Sequence, residues 1–357
     1  MVSTVSLHSG SLNASPTALA VRVRPLETQS EEYTGTHFLP ENKADLLRPD
    51  FSRAERVRFP AIDGEELAGF VYKPVGADSS KAPAVALCGP ISAVKEQVVP
   101  HYAERLADMG YLCVTFDPRR FGESGGSPRG YYNPEDVIAD FHAAVRYLFT
   151  REDVDSDRVA ALGVCMGGGY AVSLGAREHR LKAVVAVGGG YNIGGTFQKN
   201  MGLDGYGDFI AGVNQTVQKQ VETGVLQTLP TIAKSSDETA VMPNPEAYSF
   251  YDRTSKDYAP NWPAEFAAQS LEPYLAYNAI SQAPLVAPTP LMIIHGTLDL
   301  FLLPEYAQQT YDAAEGNKEL VWIDTHNHIE LYDQRPYVEA AVSNAVRWLD
   351  KYVRDTP

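Results

Sequence analysis

Apolar and polar positions divide this chain into stretches of different character. Between about residue 56 and residue 189, short apolar runs of strand length alternate with segments of helical period. Residues 56–62 and 67–73 predict two strands joined by a turn at Asp63-Gly64. Residues 83–88 predict a buried strand, 99–109 a helix closed by Gly110, and 111–117 another strand. An amphipathic helix follows over 136–149 with Pro134 and Glu135 at its start, then a strand over 159–164, a small-residue helix over 166–176 and a strand over 182–188. The alternation then stops. Residues 190–287 carry Gly, Asn, Tyr and Pro with weak helical stretches and no clear strand. It resumes with a strand over 289–295, a helix over 304–314, a strand over 319–323 and a long amphipathic helix over 337–353.

Alternating strands and helices imply an α/β fold: a mostly parallel central sheet with helices on both faces, and an antiparallel hairpin leading in. The expected organisation is an N-terminal arm over 1–54, a core over 55–189 and 288–357, and a cap or lid inserted over 190–287. The arm is polar and mixed, broken by Pro25, Pro40 and Pro49, and is expected to pack on the core or on a second copy of the chain, so a homodimer is among the expectations.

Composition narrows the function classes. A formal net charge of −15 argues against nucleic acid or an anionic membrane surface as a partner, since both attract basic patches. No stretch approaches the roughly 18 apolar residues that span a bilayer, and the first residues lack a basic and then apolar leader, so a cytoplasmic location is expected. Cys88, Cys113 and Cys165 have neither metal-ligand spacing nor a disulfide framework. With no clustered His, Cys and Asp, neither a metal nor another cofactor is expected.

One stretch carries the chemistry. Gly163-Val164-Cys165-Met166-Gly167 lies between a buried strand and a Gly/Ala-rich helix, a G-x-C-x-G form of the nucleophile elbow with cysteine at its centre. Such a turn pushes the central side chain over the sheet edge, and its flanking glycines leave no room for a Cβ. The following helix directs its amides at the sulfur, favouring a thiolate and a neighbouring oxyanion. Strand ends supply the partners. Asp299 lies just beyond the strand over 289–295, and the loop after 319–323 holds His326 and His328. The order Cys165, Asp299, His328 is that of a nucleophile–acid–base triad, with His328 preferred over His326 because it lies further past the strand, directly before a helix or turn. The oxyanion donors should be the amide of Met166 and one from the loop after Cys88, where Pro90 has no N–H and Ile91 is preferred, with Ser92 next. Gly122-Glu123-Ser124-Gly125-Gly126 also reads G-x-S-x-G, but Pro128, Arg129, Gly130 and Pro134 deny it an immediate helix, so Ser124 is expected to be a loop residue. Arg119 and Arg120 are read as surface or ion-pair residues rather than substrate anchors, and His295 as a satisfied core histidine.

Taken together, Val94-Lys95-Glu96-Gln97, the run from Phe116 to Gly126, the elbow through Ala171, and His328-Ile329-Glu330-Leu331-Tyr332-Asp333 resemble the dienelactone-hydrolase-like branch of the α/β-hydrolase superfamily. Within it the chain is similar to the cysteine-elbow subgroup that includes fungal polyketide transferases and thiohydrolases. The resemblance implies Cys165 as nucleophile, Asp299 as acid and His328 as base. The chain departs from that pattern where its oxyanion loop opens with Cys88-Gly89-Pro90 instead of His-Pro or His-Gly. True dienelactone hydrolases restrain the cysteine with a glutamate, and the carboxylate near this loop is Glu96. The expected activity is hydrolysis of an ester, lactone or thioester through an acyl-Cys165 intermediate, the acyl group being a small molecule free or carried on a protein. Transfer of the acyl group to an alcohol or amine is the alternative, and a non-catalytic ligand-binding protein on the same fold the second alternative.

Overall fold

The computed structural model describes residues 39–40, 42–76, 81–235 and 238–354. Most of the N-terminal arm, residues 1–38 and 41, therefore lies outside the described residues. The first elements are the antiparallel strands β1 (Ala54–Pro60) and β2 (Glu66–Tyr72), followed by β3 (Ala82–Cys88), α1 (Val99–Asp108) and β4 (Leu112–Phe116). Next come α2 (Pro134–Thr150), β5 (Val154–Val164), α3 (Met166–Gly175) and β6 (Val184–Val187). Between β6 and the next core strand lie α4 (Ile193–Thr223), β7 (Thr228–Pro230), β8 (Ile232–Ala233), β9 (Met242–Pro243), α5 (Pro245–Asp257), β10 (Glu265–Ala267) and α6 (Leu271–Leu275). The core resumes with β11 (Leu291–Gly296), α7 (Pro304–Ala313), β12 (Lys318–Ile323), α8 (Glu330–Asp333) and α9 (Arg335–Leu349).

Eight strands form one sheet in the order β1-β2-β4-β3-β5-β6-β11-β12. The β1–β2 and β2–β4 pairs are antiparallel; every pair from β4 through β12 is parallel. Parallel strands buried on both faces need apolar side chains at successive positions. Accordingly Ala84–Leu87 of β3, Val159–Leu162 of β5 and all of β6 are fully buried. Helices α2 and α3 pack together against β5, while α1 and α9 pack together beside β4 and β11. Two helix starts show a local cause. Asn133 Oδ1 accepts the Glu135 amide at 3.0 Å with Pro134 in the first turn of α2, and Asn244 Oδ1 accepts the Ala247 amide at 2.8 Å ahead of α5. No helix among the described residues is long and apolar enough to cross a membrane.

The segment between β6 and β11 differs from its sequence reading. It contains short strands, β7 paired with β10 and β8 with β9, and a helix over Ile193–Thr223 interrupted only by Gly202 at φ 73°. Strands of two or three residues are too short to show a period of two, and Gly202, Gly205 and Gly207 dilute the helical pattern of α4.

Candidate active site

At the carboxyl end of β5 the chain turns abruptly into α3, and Cys165 occupies the turn with φ 60° and ψ −126°. A non-glycine residue held there costs about 1–3 kcal/mol, so the surroundings must enforce it. They do so with backbone bonds. Cys165 N donates to Val187 O at 2.9 Å, its carbonyl accepts from Gly168 N at 2.8 Å and from Gly190 N at 3.1 Å, and Gly167 N donates to Gly89 O at 3.1 Å. A Cβ on Gly163 would lie 1.8 Å from the Gly167 carbonyl oxygen, and one on Gly167 would lie 2.1 Å from that of Cys88. Only glycine fits at either position.

Asp299 and His328 reach this corner from the ends of β11 and β12. Asp299 Oδ1 accepts the amides of Phe301 at 2.9 Å and Leu302 at 2.8 Å, and Oδ2 accepts Nδ1–H of His328 at 2.6 Å. This leaves Nε2 as the basic atom of the imidazole. Among the described residues Nε2 has no partner of full hydrogen-bond geometry; the Cys165 thiol is the group that acts on it from that side. Burial alone would depress the basicity of His328, but the Asp299 carboxylate and then Cys165 outweigh it and hold the imidazole well above its ordinary value. His326 has a different setting. Its side chain is 74% exposed and its Nδ1 faces Glu330 at 3.3 Å. Cys165, Asp299 and His328 are thus brought together, and His326 is not.

Met166 opens α3, where helix geometry leaves an amide without an intrahelical acceptor. Ile91 lies buried in the loop after β3, a tightly wound segment in which Ser92 and Val98 have φ of 58° and 61°. Ser124 is accounted for structurally: its Oγ accepts the Ala68 amide at 2.9 Å and donates to the Asp117 carbonyl at 2.7 Å. Arg119 is buried and paired with Asp140 and Asp63, and Arg120 pairs with Asp136 at 2.6 Å. Glu96 does not restrain the thiol; it accepts from Lys95 Nζ at 2.8 Å and from Asn261 Nδ2 at 3.2 Å. His295 corrects its sequence reading in part. Nε2 bonds the Leu302 carbonyl at 2.8 Å and sits 3.7 Å from Asp299 Oδ2, but buried Nδ1 has no partner among the described residues.

Comparison with known proteins now has a geometry to stand on. A family model described as serine aminopeptidase, S33 (Hydrolase_4), matches residues 94–335. The chain belongs to that family. It is therefore an α/β hydrolase, an enzyme of hydrolase or esterase type, that carries cysteine at its elbow. It is 27% identical over 76% of its length to the thiohydrolase aneE of Aspergillus aculeatus, covering 85% of that protein. It is 24% identical to the polyketide transferase claH of Penicillium crustosum over 74% of this chain and 86% of that one. In fold it is similar to the crystal structure of hypothetical protein PA2218 from Pseudomonas aeruginosa, with TM-score 0.73 and 24% identity over 92% of this chain and 99% of that chain.

Within this α/β hydrolase the sequence reading missed three tyrosines that join Tyr251 near the thiol: Tyr132, Tyr274 and Tyr332. Tyr132, Tyr251, Tyr274 and Tyr332 are buried, and burial first, with the nearby Cys165 adding to it, pushes their phenols up. Tyr332 is one helical turn beyond His328, and its ring stands edge-on to the imidazole at 5.1 Å. That spacing was a signal available in the sequence. Tyr132 and Tyr274 reach the corner only through the chain's path.

Proposed function

We propose that this α/β hydrolase cleaves an ester, lactone or thioester through an acyl-Cys165 intermediate. His328 Nε2 takes the thiol proton and the thiolate attacks the carbonyl carbon. Asp299 fixes the imidazole tautomer and stabilises the imidazolium. The amides of Met166 and Ile91 serve as donors to the tetrahedral oxyanion. The imidazolium then protonates the leaving group, and a water deprotonated by the same ring releases the acid. The observation that carries this reading is the 2.6 Å His328–Asp299 bond, which leaves Nε2 turned to a cysteine held on a strained elbow.

Transfer of the acyl group to an alcohol or amine is a second reading. It is favoured by the shielding of Cys165, only 5% exposed beneath tyrosines, which limits water at the acyl-enzyme, and by the polyketide transferase among the relatives. The acyl group would be a small molecule, free or on a carrier protein. Incubation with acyl thioesters and activated esters, followed by intact-mass measurement, tests the common step. The native chain is expected to gain the mass of one acyl group and Cys165→Ala none; an adduct retained in Cys165→Ala removes the mechanism. Adding alcohol or amine acceptors then separates hydrolysis from transfer by product.

A further inference from the structure

Asp299 sits on the turn that leaves β11, and that turn closes back on the strand through His295. The His295 imidazole is fully buried and meets the rings of Tyr191 and Trp322, each at 6.1 Å. Its Nε2 stands 2.8 Å from the Leu302 carbonyl oxygen. A carbonyl oxygen only accepts, so Nε2 carries the hydrogen and Nδ1 the lone pair. The same Leu302 gives its amide to Asp299 Oδ1 at 2.8 Å, beside the Phe301 amide at 2.9 Å. Asp299 Oδ2 in turn holds Nδ1–H of His328 at 2.6 Å. Three short hydrogen bonds thus run from His295 through Leu302 and Asp299 to the base of the triad, and His295 Nε2 also lies 3.7 Å from Asp299 Oδ2.

We propose that His295 is a positioning residue for this site: its Nε2–H fixes Leu302, and through Leu302 the carboxylate that orients His328. This rests on Cys165, His328 and Asp299 acting as the triad. Leu302 is held at both of its polar groups, the amide by Asp299 and the carbonyl by the buried ring. Removing the ring donor leaves that carbonyl without its partner, a cost the turn relieves by shifting Leu302. The shift draws the Leu302 amide away from Oδ1. A carboxylate gripped by one amide fewer turns more freely, so the imidazole is less well oriented and its protonated form less stabilised. At 3.7 Å the Nε2–H end of His295 is too far from Oδ2 for a hydrogen bond, but its partial positive charge faces the carboxylate and favours the ionised form. Burial outweighs the pull of Asp299 and lowers the basicity of His295, so the ring acts as a fixed neutral donor and no proton leaves it.

The titratable groups that face Asp299 are His328 and His295. Those that face His328 are Asp299 and His295 from β11 and the turn after it, Cys165 from the elbow and Tyr332 from α8. Asp299 is the largest of the influences that raise the basicity of His328, so a looser Asp299 lowers it. Two replacements separate the donor from the shape of the ring. Phenylalanine fills a similar volume and donates nothing, whereas glutamine places an Nε2–H where the imidazole had one and can still serve the Leu302 carbonyl.

The experiment is acetylation of the full-length protein by p-nitrophenyl acetate between pH 5 and pH 9, followed by quenched intact-mass measurement, for native, His295→Phe and His295→Gln. Near-ultraviolet circular dichroism checks that the packing is intact. His295→Phe is expected to lower the saturating acetylation rate by about tenfold, with the half-saturating ester concentration little changed. The acid limb of its rate–pH curve should move to lower pH by about one unit, since a tenfold weaker hold on the imidazolium is one unit of basicity. His295→Gln should recover most of the rate and return the limb toward its native position. A folded His295→Phe with the native rate and limb overturns the proposal, and so does a folded His295→Gln no better than His295→Phe. Should His295→Phe lose its packing, His295→Met takes its place in the same comparison. Failure of the underlying mechanism looks different: the native chain would then gain no acetyl group, or Cys165→Ala would retain it, whatever the His295 variants do.

Discussion

Cys165, His328 and Asp299 come from three chain segments, yet each is oriented by atoms close to it in sequence. The elbow is enforced by Gly163 and Gly167 within two residues of the sulfur, and Asp299 is set by amides two and three residues on. That is why these positions were legible in the sequence. Ser124 shows the converse. Its G-x-S-x-G surroundings match the motif, but its hydroxyl is consumed by Ala68 and Asp117, fastening β2 to the end of β4. Ser124→Ala should therefore leave acyl-adduct formation at the native level. It should lower unfolding free energy by about 1–3 kcal/mol, measured by urea titration, because a buried amide and a buried carbonyl lose their partner.

Among the elements, α5 does most to bind the two functional loops to each other. From one helix, Tyr251 reaches the Ile91 carbonyl, Thr254 accepts from Gln97 Nε2 at 2.8 Å, Glu246 accepts the Ile329 amide at 2.8 Å, and Arg253 pairs with Asp333. The loop after β3 is tied at its other side by Lys95, whose ammonium is buried among Glu96 at 2.8 Å, Asp117 at 3.0 Å and Glu123 at 2.9 Å. Burial pushes the Asp117 carboxyl up to about 6 even though Lys95 pulls it down. Lys95→Met removes the compensating charge and leaves the Glu96, Asp117 and Glu123 carboxylates facing one another. It should destabilise the fold by about 3–5 kcal/mol, seen as a lower denaturant midpoint at unchanged slope. None of these ties follows a sequence period. The Tyr251–Ile91 bond joins positions 160 residues apart, and Glu96 turns to Asn261 across 165.

For the whole molecule, two buried histidines contribute pH dependence of opposite sign. His101 on α1 is fully buried, with neither ring nitrogen partnered among the described residues, and burial, with Arg105 and Arg253 near it, pushes it down to about 3 from 6.5. The unfolded chain gains a proton there near pH 6.5 that the native chain refuses until about pH 3. The His101 contribution to stability should thus fall by about 1.4 kcal/mol for each pH unit lost inside that window, against the opposite contribution of Asp117 and Asp140, whose carboxyls burial raises to about 6. His101→Phe should flatten that limb of the stability–pH curve, measured by urea titration at a series of pH values; an unchanged slope would contradict this assignment. His328 acts in reverse. Its raised basicity contributes fully below its unfolded value of 6.5 and is lost as pH climbs through the higher native one.

The order of elements, the parallel sheet with its leading hairpin, and the elbow itself were determined by the sequence alone. Each rests on a local rule: apolar runs of strand length, glycines flanking a strained turn, and residues just past strand ends. The tertiary structure decided what faces what. It set His328 rather than His326 on Asp299, left Nδ1 of His295 without a partner among the described residues, engaged Glu96 with Lys95 and Asn261, and gathered tyrosines from α5, α6, α8 and the approach to α2 near Cys165. A linear sequence states which side chains exist and how their neighbours constrain them. Which of them share a cavity depends on how helices separated by scores of residues settle on one sheet edge, and that information exists only once the core has closed.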